Sequence, residues 1–187
     1  MVYNQDKNGN SLRFEFKEDG INYTLKDKSI HKTEFIPYEN ITNKTHEFFE
    51  KNDGHKQRAI YFLIVGTLFL IANIVFQTRL WSWLFLIGAP IFYYLYKKSI
   101  VNYKVINTED AMDIYILNDN NEDDIFKTIY SKRNEYLINN YLSINYSNNP
   151  SNEISKFLWL KSLDIINKKE FDVIKEDIAS HHNLDEH

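Results

Sequence analysis

The sequence predicts an α+β membrane protein in which a two-helix transmembrane hairpin is inserted into a small antiparallel sheet closed by a helix, with a C-terminal helical hairpin. Three observations lead to this prediction. Two charge-poor apolar runs, 59–76 and 80–96, are separated by three residues. Stretches of alternating apolar and polar residues, typical of strands, lie on both sides of them. The segment 150–178 has apolar residues at helical spacing.

The N-terminal strands are predicted from alternation between residues 12 and 37. Leu12, Phe14 and Phe16 alternate with charged residues, and a turn at Asp19-Gly20 separates them from a second run at 21–25 and a third at 32–37. We expect residues 42–58 to be helical and to lead into the first span. Residues 1–58 would thus form the first part of a cytoplasmic domain.

The hairpin is assigned to residues 59–98. Hydrocarbon about 30 Å thick needs roughly 20 helical residues, and each run approaches that length. Arg79 is the one basic residue of the connection, whereas the outer flanks are basic, so the positive-inside rule predicts two spans with both termini in the cytoplasm. Trp81 and Trp83 would lie at the outer interface, and Gly66 and Gly88 would allow close helix packing.

The basic flanks predict contact with anionic lipid head groups. The residues expected to make it are Lys56, Arg58, Lys97, Lys98 and Lys104. The alternative to a membrane hairpin is a buried helix pair of a soluble protein, which would need a larger protein around it.

The remainder of the domain is assigned to residues 99–146. Alternation at 101–105 and 112–116 predicts further strands of the same sheet. A helix over 122–139, with Asn121 as its N-cap, would close that sheet with Ile125, Ile129 and Leu137 on its apolar face.

Residues 150–178 are predicted to form two short helices, the second opened by a capping box between Asn167 and Glu170. Residues 179–187 would be a disordered tail. Because so small a helical hairpin is marginal alone, its apolar face is expected to dock on another surface. The residues predicted for partner docking are Phe157, Leu158, Leu163, Phe171 and Ile174.

Two resemblances accompany these segments. Asp19-Gly20-Ile21, the run 35–41, and a helix following 114–117 resemble bacterial pleckstrin-homology-like (PH-like) membrane proteins of the YcxB-like kind, which implies a small barrel-like domain capped by a helix beside a transmembrane hairpin. The order in that family is often hairpin first, whereas strand-like segments here lie on both sides. The run 160–171 resembles a short C-terminal helical motif (SHOCT-like), with Asp164 where glycine is common; this implies oligomerisation or partner binding.

Composition limits the function classes. The 187 residues carry a net charge of -4, and the acidic C-terminal part argues against a nucleic-acid partner. The chain has no cysteine, which excludes disulfides and thiolate sites. The segment His46-Glu47-Phe48-Phe49-Glu50 lacks the second histidine of a zinc-protease helix, so we predict no catalytic, metal or cofactor site.

The function expected is that of a non-enzymatic integral membrane adaptor or scaffold in the bacterial inner membrane. Its PH-like domain would mediate protein or lipid-surface interaction, and its partners would be membrane lipids and further copies of the chain or a larger membrane complex. The alternative is a small accessory subunit of an oligomeric transport or channel complex, which the absence of an ionisable residue at mid-membrane depth disfavours.

Overall fold

The computed structural model describes residues 1–27, 30–77 and 82–185. The chain forms two compact units, one of Met1–Glu47 with Lys104–His187 and the other of Phe48–Tyr103. The strands are β1 Val2–Lys7, β2 Asn10–Phe16, β3 Gly20–Lys26, β4 His31–Pro37, β5 Ile41–Glu50, β6 Val101–Thr108 and β7 Ile114–Leu117. The helices are α1 Asp53–Phe76, α2 Ser82–Lys98, α3 Glu122–Tyr141, α4 Pro150–Ser162 and α5 Lys168–Asp185, and a 3-10 turn covers Tyr38–Asn40.

The first sheet has the order β1-β2-β3-β4 with antiparallel neighbours, and the alternating pattern predicted three of these strands, β2, β3 and β4. Phe14 of β2 lies opposite Tyr23 of β3, and both side chains are fully buried. Gly20 begins β3 opposite Pro37, where a Cβ atom would come within 2.4 Å of the Ile36 carbonyl oxygen. Glycine is therefore required there because β4 passes too close for any side chain.

The second sheet has the order β5-β6-β7, and α1 and α2 lie between β5 and β6 in the chain. Two expectations are wrong here. Residues 42–50 belong to a strand instead of a helix, and the strands after the apolar helices form a second antiparallel sheet instead of continuing the first. Pairing with β6, more than fifty residues later, decides the conformation of β5; the Thr42 hydroxyl donates to the Asn107 carbonyl at 2.8 Å.

Two side chains satisfy the backbone of β7 on the side away from β6. The Gln5 amide donates to the Leu117 carbonyl and accepts from the Leu117 N–H, both at 2.9 Å. The Tyr23 hydroxyl donates to the Tyr115 carbonyl at 3.1 Å and accepts from the Tyr115 N–H at 3.2 Å. Residues of the first sheet thereby replace a missing neighbouring strand, which keeps buried backbone groups paired. Strand β1, which supplies Gln5, was not predicted because its residues are mostly polar.

Helix α3 confirms the predicted closing helix and extends it to Tyr141. Ile125, Ile129 and Leu137 are fully buried, as expected. Asn121 is the N-cap residue, but its side chain makes no cap hydrogen bond; its N–H instead donates to the Asp119 carboxylate at 2.8 Å.

The two C-terminal helices are present, and the capping box is confirmed. The Asn167 N–H donates to the Glu170 carboxylate at 2.7 Å, and the Glu170 N–H donates to the Asn167 side-chain oxygen at 3.1 Å. The predicted tail is wrong in its boundary, since α5 continues to Asp185. Residues 186–187 of that tail lie outside the described residues.

Asp164 ends α4 in the left-handed conformation, with φ 57°. The N–H groups of Asp164 and Ile165 donate to the carbonyls of Lys161 and Leu160, the pattern of a Schellman cap. Glycine adopts this conformation at least cost, whereas here an aspartate does so.

The loop before α4 is held by Glu153, which is only 2% exposed. Burial alone would raise the pKa of Glu153, but hydrogen bonds from Lys156, the Asn145 N–H and the Asn148 side chain hold that pKa below its ordinary value of 4.5. The charged carboxylate is thus the form that the fold stabilises.

We predict that Gly20→Ala destabilises the first sheet by about 1–3 kcal/mol, because the new methyl group meets the Ile36 carbonyl and the Phe35 ring. Thermal unfolding of the detergent-solubilised protein, followed by far-UV circular dichroism, measures the change. Gly54→Ala is the matched control, since its Cβ meets only the flexible Asn52 side chain at 3.1 Å. Equal midpoints for the two variants would contradict the steric argument.

We predict that Glu153 makes stability depend on pH. Its pKa is lower in the folded than in the unfolded chain, so the unfolded state binds more protons between the two values. The stabilisation is therefore fully present above about pH 5 and is lost as the pH falls through the folded pKa. Urea unfolding of the wild type and of Glu153→Gln at several pH values tests this; the variant should lose less stability on acidification, and parallel losses would show the assignment to be wrong.

Candidate membrane and docking surfaces

Helices α1 and α2 pack closely through two glycines. A Cβ atom on Gly66 would lie 3.0 Å from the Leu86 side chain, and one on Gly88 would lie 2.4 Å from the Phe62 ring. The Phe62 ring lies 5.0 Å from that of Phe92, centroid to centroid. This confirms that the glycines allow close approach of the two helices.

The outward faces of both helices are apolar and exposed. Helix α1 has 24 residues, a length of about 36 Å, and only 11% of its most apolar window is buried. Among the described residues it is the one helix long and apolar enough to cross a membrane. Helix α2 has 17 residues and falls short of that length; residues 80 and 81, predicted to begin its span, and the predicted connection at 78–79 lie outside the described residues. One candidate span, instead of the two expected, is therefore observed.

Four of the five basic residues predicted to contact head groups are exposed near the ends of the apolar helices: Lys56, Arg58, Lys97 and Lys98. The fifth, Lys104, differs. Its ammonium lies 3.9 Å from the centroid of the Phe126 ring and 3.6 Å from the Glu122 carboxylate, so it is held against α3. Trp83, predicted at the outer interface, is 55% exposed, and Trp81 lies outside the described residues.

The residues predicted for partner docking divide into two groups. Phe157, Leu163 and Phe171 are buried in a core with Leu137 of α3, and Ile174 packs against that core. Only Leu158, 53% exposed, faces outward. The apolar face of the C-terminal hairpin therefore finds the surface it needs on α3, within its own chain.

An apolar groove of about 520 Å³ remains open beside this core, and we call it the docking groove. It lies among the end of α3, the turn between α4 and α5, and the first turns of α5. Val173, Ile138 and Leu142 are its most exposed apolar residues, at 66%, 43% and 37%. The lining residues are Ile138, Leu142, Ile144, Ile165, Ile166, Lys169, Glu170, Val173 and Ile174. Sequence reasoning found only Ile174, although the four-residue spacing of Ile138 and Leu142 was a signal for a second apolar face on α3.

Arg133 of α3 is a buried charged residue, 2% exposed, that sequence reasoning missed. Its guanidinium donates to the Ile41 carbonyl at 3.1 Å and the Asn43 side-chain oxygen at 2.7 Å, at the start of β5. It also donates to the Leu163 carbonyl at the end of α4, at 3.0 Å, and twice to the Asn134 side chain. Arginine has five N–H donors, and these five contacts use them all.

The electrostatics around Arg133 follow from its burial. Burial lowers the pKa of Arg133, while Tyr130 and Asp164 act in the opposite direction. The guanidinium lies over the Tyr130 ring at 4.7 Å, and the Asp164 carboxylate accepts from the Asn43 side chain at 2.7 Å. The charge is thus balanced by dipoles, an aromatic face and one nearby carboxylate, which makes its burial tolerable.

The polar residues considered for chemistry do not converge on a reactive centre in the described part of the chain. His46 lies on β5 with Nδ1 3.0 Å from the Asn107 side-chain oxygen. No group of three metal-ligating side chains occurs among the described residues.

A polar cleft of about 850 Å³ lies between the β2–β3 turn and α3. Burial, with the charges of Asp19 and Glu135, raises the pKa of its Tyr38 to about 12, so that hydroxyl stays protonated at neutral pH.

Comparison of the chain with protein-family models, with curated proteins and with solved structures gave no match.

We predict that Arg133→Lys destabilises the protein by on the order of 3 kcal/mol, because lysine has three donors and leaves buried carbonyl oxygens unsatisfied. Lys132→Ala is the control: its exposed pair with Glu135, at 3.1 Å, should contribute less than about 1 kcal/mol. Urea unfolding of both variants measures the difference. A loss for Arg133→Lys no larger than that of the control would show that the five contacts are not needed.

Proposed function

We propose that this protein is a non-enzymatic integral membrane adaptor, with a PH-like domain held at the cytoplasmic face of the bacterial inner membrane and a docking groove for protein. The observation that carries the proposal is the pair of exposed apolar helices that follow β5 and precede β6 in the chain, two strands that are neighbours in the second sheet.

The exposed surface of α1 supports membrane insertion. Ile74 and Phe76 are 72% and 73% exposed, and burying such side chains in hydrocarbon gains about 1.5–3 kcal/mol each. The Thr67 hydroxyl donates to the Leu63 carbonyl at 2.8 Å, so this polar group has a partner inside its own helix. Hydrocarbon demands that internal pairing, because it offers no water.

The proposed path is two spans, with α2 as the second, and both termini in the cytoplasm. An antiparallel helix pair joined by a short connection returns the chain to the side from which it came. The basic residues near the outer ends of the pair then lie at the anionic inner surface, where Lys56, Arg58, Lys97 and Lys98 contact head groups.

The PH-like assignment draws support from the order of elements. Four antiparallel strands, then three strands of a second sheet, then a closing helix follow one another in the described residues, with the apolar helices inserted between β5 and β6. This order supports the proposal of a small helix-capped domain of the kind that the YcxB-like resemblance implies, with the hairpin between two of its strands in the chain.

The adaptor role draws support from the docking groove. Apolar concave surfaces on otherwise polar domains are typical of sites that bind protein. The groove is lined by apolar side chains, with one lysine and one glutamate among them. This lining suits the binding of a protein better than the catalysis of a reaction.

We predict that single cysteines report the topology, since the natural chain has none. Gln77→Cys, at the end of α1, should react with a membrane-impermeant maleimide in intact spheroplasts. Ser147→Cys, in the exposed loop before α4, should react only after permeabilisation. Labelling of both sites before permeabilisation, or extraction of the protein by alkaline carbonate, would overturn the membrane proposal.

A further inference from the structure

We propose that the end of β5 is a further lipid-binding site, in which Phe48 and Phe49 insert their rings among the head groups of the membrane that α1 enters. This rests on the proposed membrane location and adds to the basic residues a contact of a different kind, made by aromatic rings on a strand. Phe48 is 44% exposed and Phe49 is 53% exposed, and α1 begins at Asp53, shortly after them in the chain.

The two rings lie on opposite faces of β5, because successive side chains of a strand alternate. A strand that covers a core has its aromatic residues two apart, as Phe14 and Phe16 are on β2, where both are buried. Two consecutive exposed aromatic residues therefore do not fit burial against one protein surface. The head-group layer surrounds a strand end on both sides and accommodates both rings, and phenylalanine is among the residues that insert into it.

The edge of β5 supports the same arrangement. Among the described strands its only neighbour is β6, because β5 comes first in the order β5-β6-β7. An open edge with exposed apolar side chains attracts other chains unless something covers it. With this edge turned toward the lipid, the rings of both faces flank it and enter the head groups. The backbone groups of the edge stay hydrated there, which the hydrocarbon would not allow.

The length of α1 brings the end of β5 within reach of the head groups. The apolar part of α1, 59–76, has its middle between residues 67 and 68, and half of a bilayer of about 40–45 Å corresponds to about 14 residues of helix. The outer limit of the head groups therefore falls near Asp53, the first residue of α1. Phe49 is at most about 13 Å from it along an extended chain, so both rings reach the layer when the strand end runs along the membrane surface.

Contacts within one compact unit, Phe48–Tyr103, join this strand end to the helix pair. The Phe48 ring lies 6.1 Å from the Tyr103 ring, centroid to centroid. The Asn52 N–H donates to the Ser99 hydroxyl, just past the end of α2, at 3.2 Å. The rings are thus held beside the ends of the two helices that the membrane surrounds.

The charges around the rings suit an anionic surface. The Glu50 carboxylate, next to Phe49, accepts from the Tyr103 hydroxyl at 2.9 Å. In the segment 48–58 the basic residues Lys51, Lys56 and Arg58 outnumber the acidic residues Glu50 and Asp53. Electrostatic attraction therefore acts in the same direction as ring insertion.

Quenching of a fluorophore by spin-labelled lipid tests this inference. Because the natural chain has no cysteine, Phe49→Cys carries a single fluorophore, and the full chain is reconstituted into phosphatidylcholine vesicles with phosphatidylglycerol as the minor lipid. A lipid with a spin label at its head group should quench this fluorophore several-fold more than one on Ser147→Cys, in the exposed loop before α4. Equal quenching at the two positions contradicts ring insertion.

Ile74→Cys separates this result from the membrane location itself. Ile74 is 72% exposed on α1, so a fluorophore there should be quenched by a lipid that is spin-labelled along its acyl chain. Quenching at Ile74 without quenching at Phe49 would show that α1 inserts while β5 stays away from lipid. Quenching at neither position would refute both the membrane location and the site on β5.

A change of the ring gives the second arm, with the fluorophore on Lys51→Cys so that Phe48 stays in place. Phe49→Thr, which keeps a strand-forming residue, should lower the quenching of this reporter several-fold, and the matched Phe49→Leu should keep most of it. Position 49 is exposed, so neither change should disturb folding. The quenching should persist at high salt, because contact through a ring is not screened as charge attraction is. Its loss at high salt would show that only the charged residues reach the head groups.

Discussion

The packing of the C-terminal half depends on the hydrogen bonds by which Arg133 joins α3 to β5 and to the end of α4. Its guanidinium donates to the Ile41 carbonyl and the Asn43 side chain at the start of β5, and to the Leu163 carbonyl that follows α4. Every one of its N–H donors has an acceptor. An apolar side chain in this position would leave those carbonyl oxygens without partners in a dry environment, which costs more than a typical surface change. Because Leu163 and Asp164 also form the Schellman cap of α4, the same contacts set where the chain turns into α5. The docking groove, which lies along that turn, therefore depends on a residue that does not line it.

The insertion of the apolar helices is compatible with the sheet because β5 and β6 are antiparallel neighbours. The end of one strand and the start of the next are adjacent, so a helix pair that leaves and returns at the same place interrupts no strand pairing. The same arrangement lets one chain combine a polar domain with a pair of apolar, exposed helices. Its mean hydropathy of -0.47 describes a polar protein, yet α1 is apolar and mostly exposed from residue 60 to its end. An average over the chain hides this division, whereas the position of the apolar runs reveals it.

Local patterns were the reliable part of the sequence. Alternation predicted β2, β3 and β4, since a strand with one buried face needs nothing beyond its own residues to show a period of two. The capping box at Asn167 and Glu170 was predicted because both partners lie within one turn. The prediction failed for residues 42–50, where β5 depends on pairing with β6, and for β1, whose buried Gln5 is polar and gains its place only by hydrogen bonding to Leu117. The left-handed conformation of Asp164 has a local explanation, the Schellman cap that ends α4.

The sequence by itself determined the class of the protein: strands on both sides of an apolar helix pair, a closing helix and two C-terminal helices. Each follows from the periodicity and charge of neighbouring residues. Only the tertiary structure decided which apolar residues remain available. Phe157, Leu163 and Phe171 lie against Leu137 in a core, while Ile138, Leu142 and Val173 stay open to solvent. The physical reason is that burial is a property of contacts between residues far apart in the chain, and a helix does not record which of its faces another helix will cover.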